Sequence, residues 1–189
     1  MSLKTQDLFD VSNKVVVVTG GSRGIGEMIT SGFLANNSKV YITARKEEAL
    51  VKKAEELSQK YSCECIPVSG DISNSEGIDA LVNFLNDAEP EGIDFLINNA
   101  GAAWGANYDD FPESGWDKVM DLNLKTPFFL TQKLTPLLEK KGTTEDPSRV
   151  VNIASIAGLH GPMMETYSYS ASKSGIIHLT KHMAKTLIN

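Results

Sequence analysis

The chain has 189 residues, a length typical of one domain and too short for two. Its 18 basic and 24 acidic residues give a net charge of -6, which argues against nucleic acid and anionic membrane as partners. A hydrophobic fraction of 41% and a charged fraction of 22% exclude a disordered chain, and two cysteines do not make a disulfide framework.

The amino-terminal segment shows no targeting signal. Met1 to Lys14 contains Asp7 and Asp10 and lacks the apolar run of a signal peptide. No stretch of the chain approaches the roughly 20 apolar residues that cross a bilayer. We therefore expect a cytoplasmic protein with a single domain over residues 1–189.

The first half of the chain alternates short apolar strands with helices. The spacing of Ile25, Ile29, Phe33 and Leu34 predicts the inward face of the first helix, and Ser73 is the predicted N-cap of the third. The predicted elements are strands at 15–19, 40–43 and 63–68, and helices at 24–37, 47–61 and 73–87.

The second half continues the alternation. It predicts a strand at 94–98, a helix at 115–141 adjusted at Pro127 and Pro136, a surface loop at 143–148, a strand at 149–155 and a helix at 167–189. Such alternation is typical of a Rossmann α/β fold, a doubly wound parallel sheet with helices on both faces. Because the chain stops inside a predicted helix, we expect strand five at an open edge and carboxyl-terminal strands missing.

A glycine-rich turn, TGGSRGIG at 19–26, joins the first strand to the first helix. Glycine permits a tight turn and a close approach of backbone to ligand, and free N–H groups at a helix start favour a pyrophosphate. The position between a strand and a helix therefore predicts a dinucleotide site rather than a turn without a ligand. The predicted contacts are Gly20, Ser22, Arg23, Gly24, Ile25 and Gly26.

The end of the second strand indicates which dinucleotide binds. An NAD site usually has an acid about 20 residues beyond the turn, which accepts from the ribose hydroxyls. Here the strand ends Thr43-Ala44-Arg45, without an acid. Arg45 and Arg23 suit a 2′-phosphate, and two solvated arginines are the alternative. The sequence predicts NADP(H).

Tyr169 and Lys173 stand four residues apart, so a helix places them on one face. A free phenol has a pKa of about 10, and a nearby ammonium lowers such a value by roughly 1–3 units. The pair therefore predicts an acid–base site, with a surface tyrosine and a solvated lysine as the alternative. Tyr167 is a rival acid, but Ala171 rather than a lysine follows it by four residues.

The glycine spacing resembles that of the short-chain dehydrogenase/reductase family. Further marks of that family follow in order: Asp71 after the third strand, Asn-Asn-Ala-Gly at 98–101, Asn123, Ser155 after the fifth strand, and Tyr-Ser-Ala-Ser-Lys at 169–173. The resemblance covers residues 14–189. It implies an oxidoreductase of carbonyls and alcohols that forms homodimers or homotetramers through its long helices.

The resemblance also implies roles for the matching residues. Tyr169 would protonate a carbonyl oxygen as hydride arrives from the nicotinamide, while Lys173 would hold the nicotinamide ribose. Ser155 would hydrogen-bond the substrate carbonyl; alternatively, it caps its own backbone. Asn123 would support a water that links the lysine to solvent.

The remaining family positions concern the cofactor. Asp71 and Ile72 would contact the adenine, although an aspartate is also common in a turn that enters a helix. Asn99 would line the cofactor, whereas Asn98 is expected to fix backbone. No metal site is predicted, because the sequence around Cys63 and Cys65 and around His178 and His182 lacks the further ligands of one.

The segments AWG at 103–105, GWD at 115–117 and ETY at 165–167 resemble the 3-oxoacyl-(acyl-carrier-protein) reductases of the rhamnolipid-biosynthesis branch. The predicted function is NADP(H)-dependent reduction of a ketone, on 3-oxoacyl thioesters. The alternatives are a sugar, polyol or other secondary-alcohol dehydrogenase and a non-catalytic dinucleotide-binding protein. Four aromatic residues, Trp104, Tyr108, Phe111 and Trp116, either contact an apolar substrate or pack their own loop.

Overall fold

The structure is a computed structural model that describes residues 9–188. Its strands are β1 Val15–Thr19, β2 Lys39–Ala44, β3 Cys65–Ser69, β4 Phe95–Asn98 and β5 Arg149–Asn152. They form one parallel sheet in the order β3-β2-β1-β4-β5. This is the strand order of the Rossmann fold, so the predicted fold class is confirmed. In this sheet β5 is an edge strand.

Helices cover both faces of the sheet. They are α1 Gly24–Leu34, α2 Glu47–Tyr61, α3 Ser75–Ala88, α4 Glu113–Met120, α5 Thr126–Lys141 and α6 Tyr167–Leu187. Successive residues of a strand point to opposite faces. Val16 and Val18 pack in one cluster with α1 and α2, while Val15 and Val17 pack with α3 and α5. Burial on both faces explains the unbroken apolar run of β1.

The predicted inward face of the first helix is wrong at Ile25. Ile25 is 62% exposed, whereas Leu34 of the predicted set is buried together with Gly26 and Thr30. The close packing of Gly26 on the glycine turn fixes the rotation of α1, because a Cβ at Gly26 would lie 2.1 Å from the Gly20 carbonyl oxygen. The helix also ends at Leu34 rather than at residue 37.

The predicted N-cap of the third helix is also wrong. Asn74 caps α3, and its side-chain oxygen accepts from the Gly77 N–H at 2.8 Å. The Ser73 hydroxyl instead donates to Asp71 Oδ1 at 2.7 Å, within a local turn. Since asparagine and serine cap helices equally well, the spacing alone did not separate the two positions.

The predicted helix at 115–141 is two helices joined by a π-helical turn, Asp121–Lys125. Pro127 lies in the first turn of α5, where a backbone N–H is not required, and Pro136 lies inside the helix. The predicted strand at 149–155 ends at Asn152, so residues 153–155 belong to the loop that follows. The sixth helix begins at Tyr167, as predicted.

The described residues limit what is said of the chain ends, of membrane spans and of metal sites. Residues 1–8, with Asp7, and Asn189 lie outside the described residues. From residue 9 to residue 188, every helix is too short or too polar to cross a bilayer. Over the same range there is no cluster of three or more histidine, cysteine or acidic side chains placed to hold a metal ion.

Candidate active site

The carboxyl ends of the five parallel strands meet at one edge of the sheet, where ligands bind in such folds. The glycine turn follows β1 there, Arg45 follows β2, and Asp71 follows β3. Asn99 follows β4, and Ser155 follows β5. The fold therefore brings together the candidate residues that the sequence distributes over 150 positions.

The glycine turn has the backbone conformation that its sequence predicts. Gly20 and Gly24 have φ angles of 66° and 55°, in the left-handed region that favours glycine. A Cβ at Gly24 would meet nothing within 4 Å, so this backbone is open to solvent. Arg23 precedes α1 with no side-chain cap hydrogen bond, and Ser22 beside it is half-buried. The turn thus presents main chain and a helix start to a ligand.

Asn99 holds the glycine turn in place. Its Nδ2 donates to the carbonyl oxygens of Thr19 at 2.9 Å and Gly20 at 3.1 Å. The Thr19 hydroxyl oxygen accepts in turn from the N–H groups of Asn99 and Ala100, both at 3.0 Å. The side-chain nitrogen of Asn99 is therefore occupied by the glycine turn. The predicted contact with a cofactor would have to come from other atoms of Asn99. Thr19 is a positioning residue that the sequence analysis missed.

Two exposed arginines flank this turn. Arg23 stands before α1, and Arg45 follows the last residue of β2. Hydrogen bonds from Ser73 lower the pKa of Asp71, and the charge of Arg45 acts in the same direction, which places Arg45 near Asp71. Ile72 is 6% exposed and packs in the core, so its side chain is turned away from solvent.

Lys173 is the most deeply buried cation of the candidate site. It is 6% exposed, and its Nζ donates to the Ile153 carbonyl oxygen at 2.6 Å. Burial lowers the pKa of this ammonium below its ordinary value. The Nζ lies 5.7 Å from the centre of the Tyr169 ring, so α6 places the two side chains together as their spacing predicts.

Ser155 begins a 3-10 turn, Ile156–Gly158, that packs directly on α6. Its Oγ accepts from the Ala157 N–H at 3.2 Å, which is the backbone cap that the sequence left as an alternative. The hydroxyl proton is then free to be donated to a ligand. A Cβ at Gly158 would lie 2.5 Å from the Lys173 carbonyl oxygen, so the serine turn sits as close to α6 as backbone allows.

Asn123 is 2% exposed and lies in the π-helical turn. Its Oδ1 accepts from Ala102 N at 2.8 Å, and its Nδ2 donates to Ala102 O at 2.9 Å and to Ser172 Oγ at 3.1 Å. Ser172 in turn donates to the Tyr169 carbonyl at 2.8 Å. The Asn123 amide thus joins the loop after β4 to the helix that carries Tyr169 and Lys173. Its role toward a water molecule stays a prediction.

An aromatic cavity of about 450 Å³ adjoins the start of α6. Tyr108, Phe111 and Trp116 line it, together with Pro112, Glu113 and Tyr167. The Tyr167 ring lies 5.6 Å from that of Tyr108 and 5.7 Å from that of Phe111. Trp104, by contrast, packs against Gly115 beneath Lys118, which agrees with the alternative of packing within the protein.

Comparison with known proteins agrees with this arrangement. The family model described as short chain dehydrogenase matches residues 14–189. The chain is 40% identical over 180 residues to the rhamnolipids biosynthesis 3-oxoacyl-[acyl-carrier-protein] reductase of Pseudomonas aeruginosa, covering 95% of this chain and 69% of that protein. It is 31% identical over 181 residues to nodulation protein G of a Rhizobium species, covering 95% and 69%.

Solved structures give the same result. The active-site complex of Pseudomonas aeruginosa RhlG with NADP superimposes with a TM-score of 0.91 at 39% identity, over 95% of this chain and 69% of that one. L-sorbose reductase of Gluconobacter frateurii, solved with NADPH and L-sorbose, gives 0.87 at 27% identity, over 94% and 65%.

Proposed function

The chain belongs to the short-chain dehydrogenase family, and from that membership we propose that it reduces 3-oxoacyl thioesters to secondary alcohols with NADPH. The resemblance found in the sequence is thereby confirmed, and the protein is an oxidoreductase. One observation carries the proposal on mechanism: Lys173 is a buried ammonium, held 5.7 Å from the Tyr169 ring at the carboxyl edge of the sheet.

The residues of the cleft fit NADP(H). The open backbone at Gly24 and the start of α1 suit a pyrophosphate, and the exposed Arg23 and Arg45 suit a 2′-phosphate. Two similar proteins were solved with NADP or NADPH. When bound, the nicotinamide supplies or accepts hydride. Lys173 would hold the nicotinamide ribose through its Nζ.

Tyr169, Ser155 and Lys173 would perform the proton chemistry at the carbonyl. The free proton of the Ser155 hydroxyl would be donated to the carbonyl oxygen and orient it. Tyr169 would transfer its phenolic proton to the same oxygen as negative charge develops there. The Lys173 ammonium favours the phenolate that remains, because a buried cation acts through a low dielectric.

The rim of the cleft supports an acyl substrate. Four apolar side chains after Ser155 are largely exposed: Ile156 at 70%, Leu159 at 65%, Met163 at 104% and Met164 at 71%. Exposed apolar side chains at this position are available to an acyl chain. The relative with 40% identity is named for a 3-oxoacyl substrate, which agrees with an apolar rim.

A sugar or polyol is the second candidate, because L-sorbose reductase is structurally similar at 27% identity. The apolar rim disfavours it, since a polyol requires several hydrogen-bonding side chains. A non-catalytic dinucleotide-binding protein is disfavoured by the buried Lys173 beside Tyr169, because a buried ammonium whose bonded partner is a neutral carbonyl destabilises a fold that has no use for it.

The test is NADPH oxidation by the purified protein with acetoacetyl and longer 3-oxoacyl thioesters, with L-sorbose and other ketoses for comparison. We expect turnover with the thioesters, faster with NADPH than with NADH. Turnover restricted to ketoses would replace the proposed substrate, and equal rates with NADH would refute the role given to Arg45.

The acid is tested with a matched pair of tyrosine variants. We expect Tyr169→Phe to lower kcat by about 100-fold or more, because general acid catalysis contributes about that factor. Tyr167→Phe, two residues earlier in the same helical turn, should retain turnover. Full activity of Tyr169→Phe, or loss of activity in Tyr167→Phe alone, would show that the acid is assigned wrongly.

A further inference from the structure

A polar chain of hydrogen-bonded side chains runs from the buried Asn98 and Thr131 to the half-buried Asn152 and Thr180. Asn98 Nδ2 donates to Thr131 Oγ1 at 3.2 Å and to Asn152 Oδ1 at 2.9 Å. Asn152 Nδ2 donates to Thr180 Oγ1 at 2.9 Å, and Thr180 donates to the Ile176 carbonyl at 2.7 Å. This polar chain therefore joins α5, β4, β5 and α6 through side chains alone.

This polar chain includes a buried amide whose burial costs free energy. Asn98 is 5% exposed, and its Oδ1 has no hydrogen-bond partner among the described residues. A buried acceptor without a partner loses the hydration that it has in the unfolded chain. An apolar side chain of the same size would avoid that loss at Asn98, so cohesion alone does not account for this residue.

The polar chain and the catalytic lysine hold α6 at two points of one strand end. Asn152 bonds Thr180, and the next residue, Ile153, accepts from Lys173 Nζ. The Ile153 N–H donates back to the Asn98 carbonyl at 3.0 Å, which fixes this strand end to β4. Thr180 lies seven residues, or two helical turns, after Lys173, so both contacts lie on the same face of α6.

We propose that Asn152 and Thr180 are positioning residues, which fix the rotation and height of α6 on β5 so that the Lys173 ammonium reaches Ile153 and the cofactor ribose. The Asn123–Ser172 bond holds α6 one residue before Lys173, and the Asn152–Thr180 bond adds a fixed point two helical turns further along. This proposal rests on the proposed function for the role of Lys173. It concerns side chains outside the cleft, since Thr180 is two turns from the lysine.

The test compares two substitutions at one position. Thr180→Val removes the hydroxyl and keeps the shape, whereas Thr180→Ser keeps the hydroxyl. We expect Thr180→Val to lower kcat by between about tenfold and about 100-fold, as displacement of a reacting group by about 1 Å does. In Thr180→Val, KM for the ketone should stay near the wild-type value, and the NADPH dissociation constant should rise several-fold. Thr180→Ser should have kcat and an NADPH dissociation constant near the wild-type values.

A control and a double mutant separate positioning from general destabilisation. Thr135→Val removes a hydroxyl that also bonds a carbonyl of its own helix, at 2.9 Å in α5, and should leave kcat and NADPH affinity unchanged. In a Lys173→Met background, Thr180→Val should cause no further loss of NADPH affinity, because its effect acts through the lysine. Additive losses would overturn the proposal, as would equal impairment of Thr180→Val and Thr180→Ser.

The two proposals fail separately. If the wild-type protein reduces none of the thioesters, the proposed substrate is wrong, and NADPH affinity measured by fluorescence still decides the positioning role. If thioester turnover is robust and Thr180→Val has wild-type kcat and NADPH affinity, the proposed function stands and the positioning role is refuted.

Discussion

Replacing Gly26 with alanine tests the packing that shapes the cofactor turn. A Cβ at this position would lie 2.1 Å from the Gly20 carbonyl oxygen and 2.5 Å from Asn99 Nδ2. Real Cβ contacts essentially never fall below 3.0 Å. The nearer atom is main chain, in a turn whose Gly20 already has a positive φ of 66°. Relief of the clash must therefore move α1 away from the turn.

The expected cost of Gly26→Ala follows from this geometry. Overpacking of a well-packed site costs about 1–3 kcal/mol. For a chain of this length each kcal/mol lowers Tm by about 2–4 °C. Because the displaced atoms belong to the phosphate-binding turn, NADPH affinity should fall together with stability. Thermal unfolding and NADPH fluorescence titration measure the two effects.

Gly32→Ala is the matched control on the same helix. Gly32 is exposed, and a Cβ there would meet nothing within 4 Å. Alanine is favoured over glycine inside a helix by roughly 0.5–1 kcal/mol, so this variant should be more stable than the wild type. NADPH affinity should stay unchanged. A Gly26→Ala protein that unfolds and binds NADPH like the wild type would refute the packing argument.

Three further predictions concern charge. Arg45→Ala should weaken NADPH binding by about tenfold or more and leave NADH binding unchanged, because it removes a charge-assisted contact to the 2′-phosphate. Parallel titrations with both cofactors measure this effect, and equal weakening of the two would contradict the prediction. Asp94→Ala should lower the free energy of unfolding by about 1–3 kcal/mol, because the 6% exposed carboxylate accepts from Val15 N at 2.9 Å and pairs with Lys14 at 3.0 Å. Denaturant titration measures this loss, and an unchanged midpoint would refute the prediction. Burial, and then a hydrogen bond to a carboxylate, raises the pKa of Tyr41 to about 12. The stability that this tyrosine contributes is therefore complete below about pH 10 and lost as pH rises toward about 12. Denaturant midpoints on both sides of pH 10 should show that loss in the wild type and a smaller loss in Tyr41→Phe.

Local patterns in the sequence predicted the parts of the site that depend on few residues. The glycine turn is one contiguous segment, and the Tyr169–Lys173 pair depends only on the helical repeat. Prediction failed where a distant contact decides the outcome. Ile25 was expected inside, but the packing of Gly26 on the turn before α1 rotates it outward.

The contacts that join separate elements were missed for the same reason. Ser172 connects to Asn123 across 49 positions, and Thr180 to Asn152 across 28. Neither a serine nor a threonine inside a helix marks such a contact, because both residues also bond their own backbone there. The π-helical turn around Asn123 was likewise invisible, since its sequence continues the helical spacing on either side.

The burial of Lys173 connects stability and function in this protein. Its bonded partner among the described residues is a neutral carbonyl, and burial is what lowers its pKa. A carboxylate beside it would stabilise the buried charge, but it would also cancel the field that the ammonium exerts on Tyr169. A buried ammonium without a carboxylate is therefore the arrangement that the proposed acid–base chemistry requires. Thr180, which holds α6 in the proposed arrangement, is a position where substitution should reduce activity more than stability.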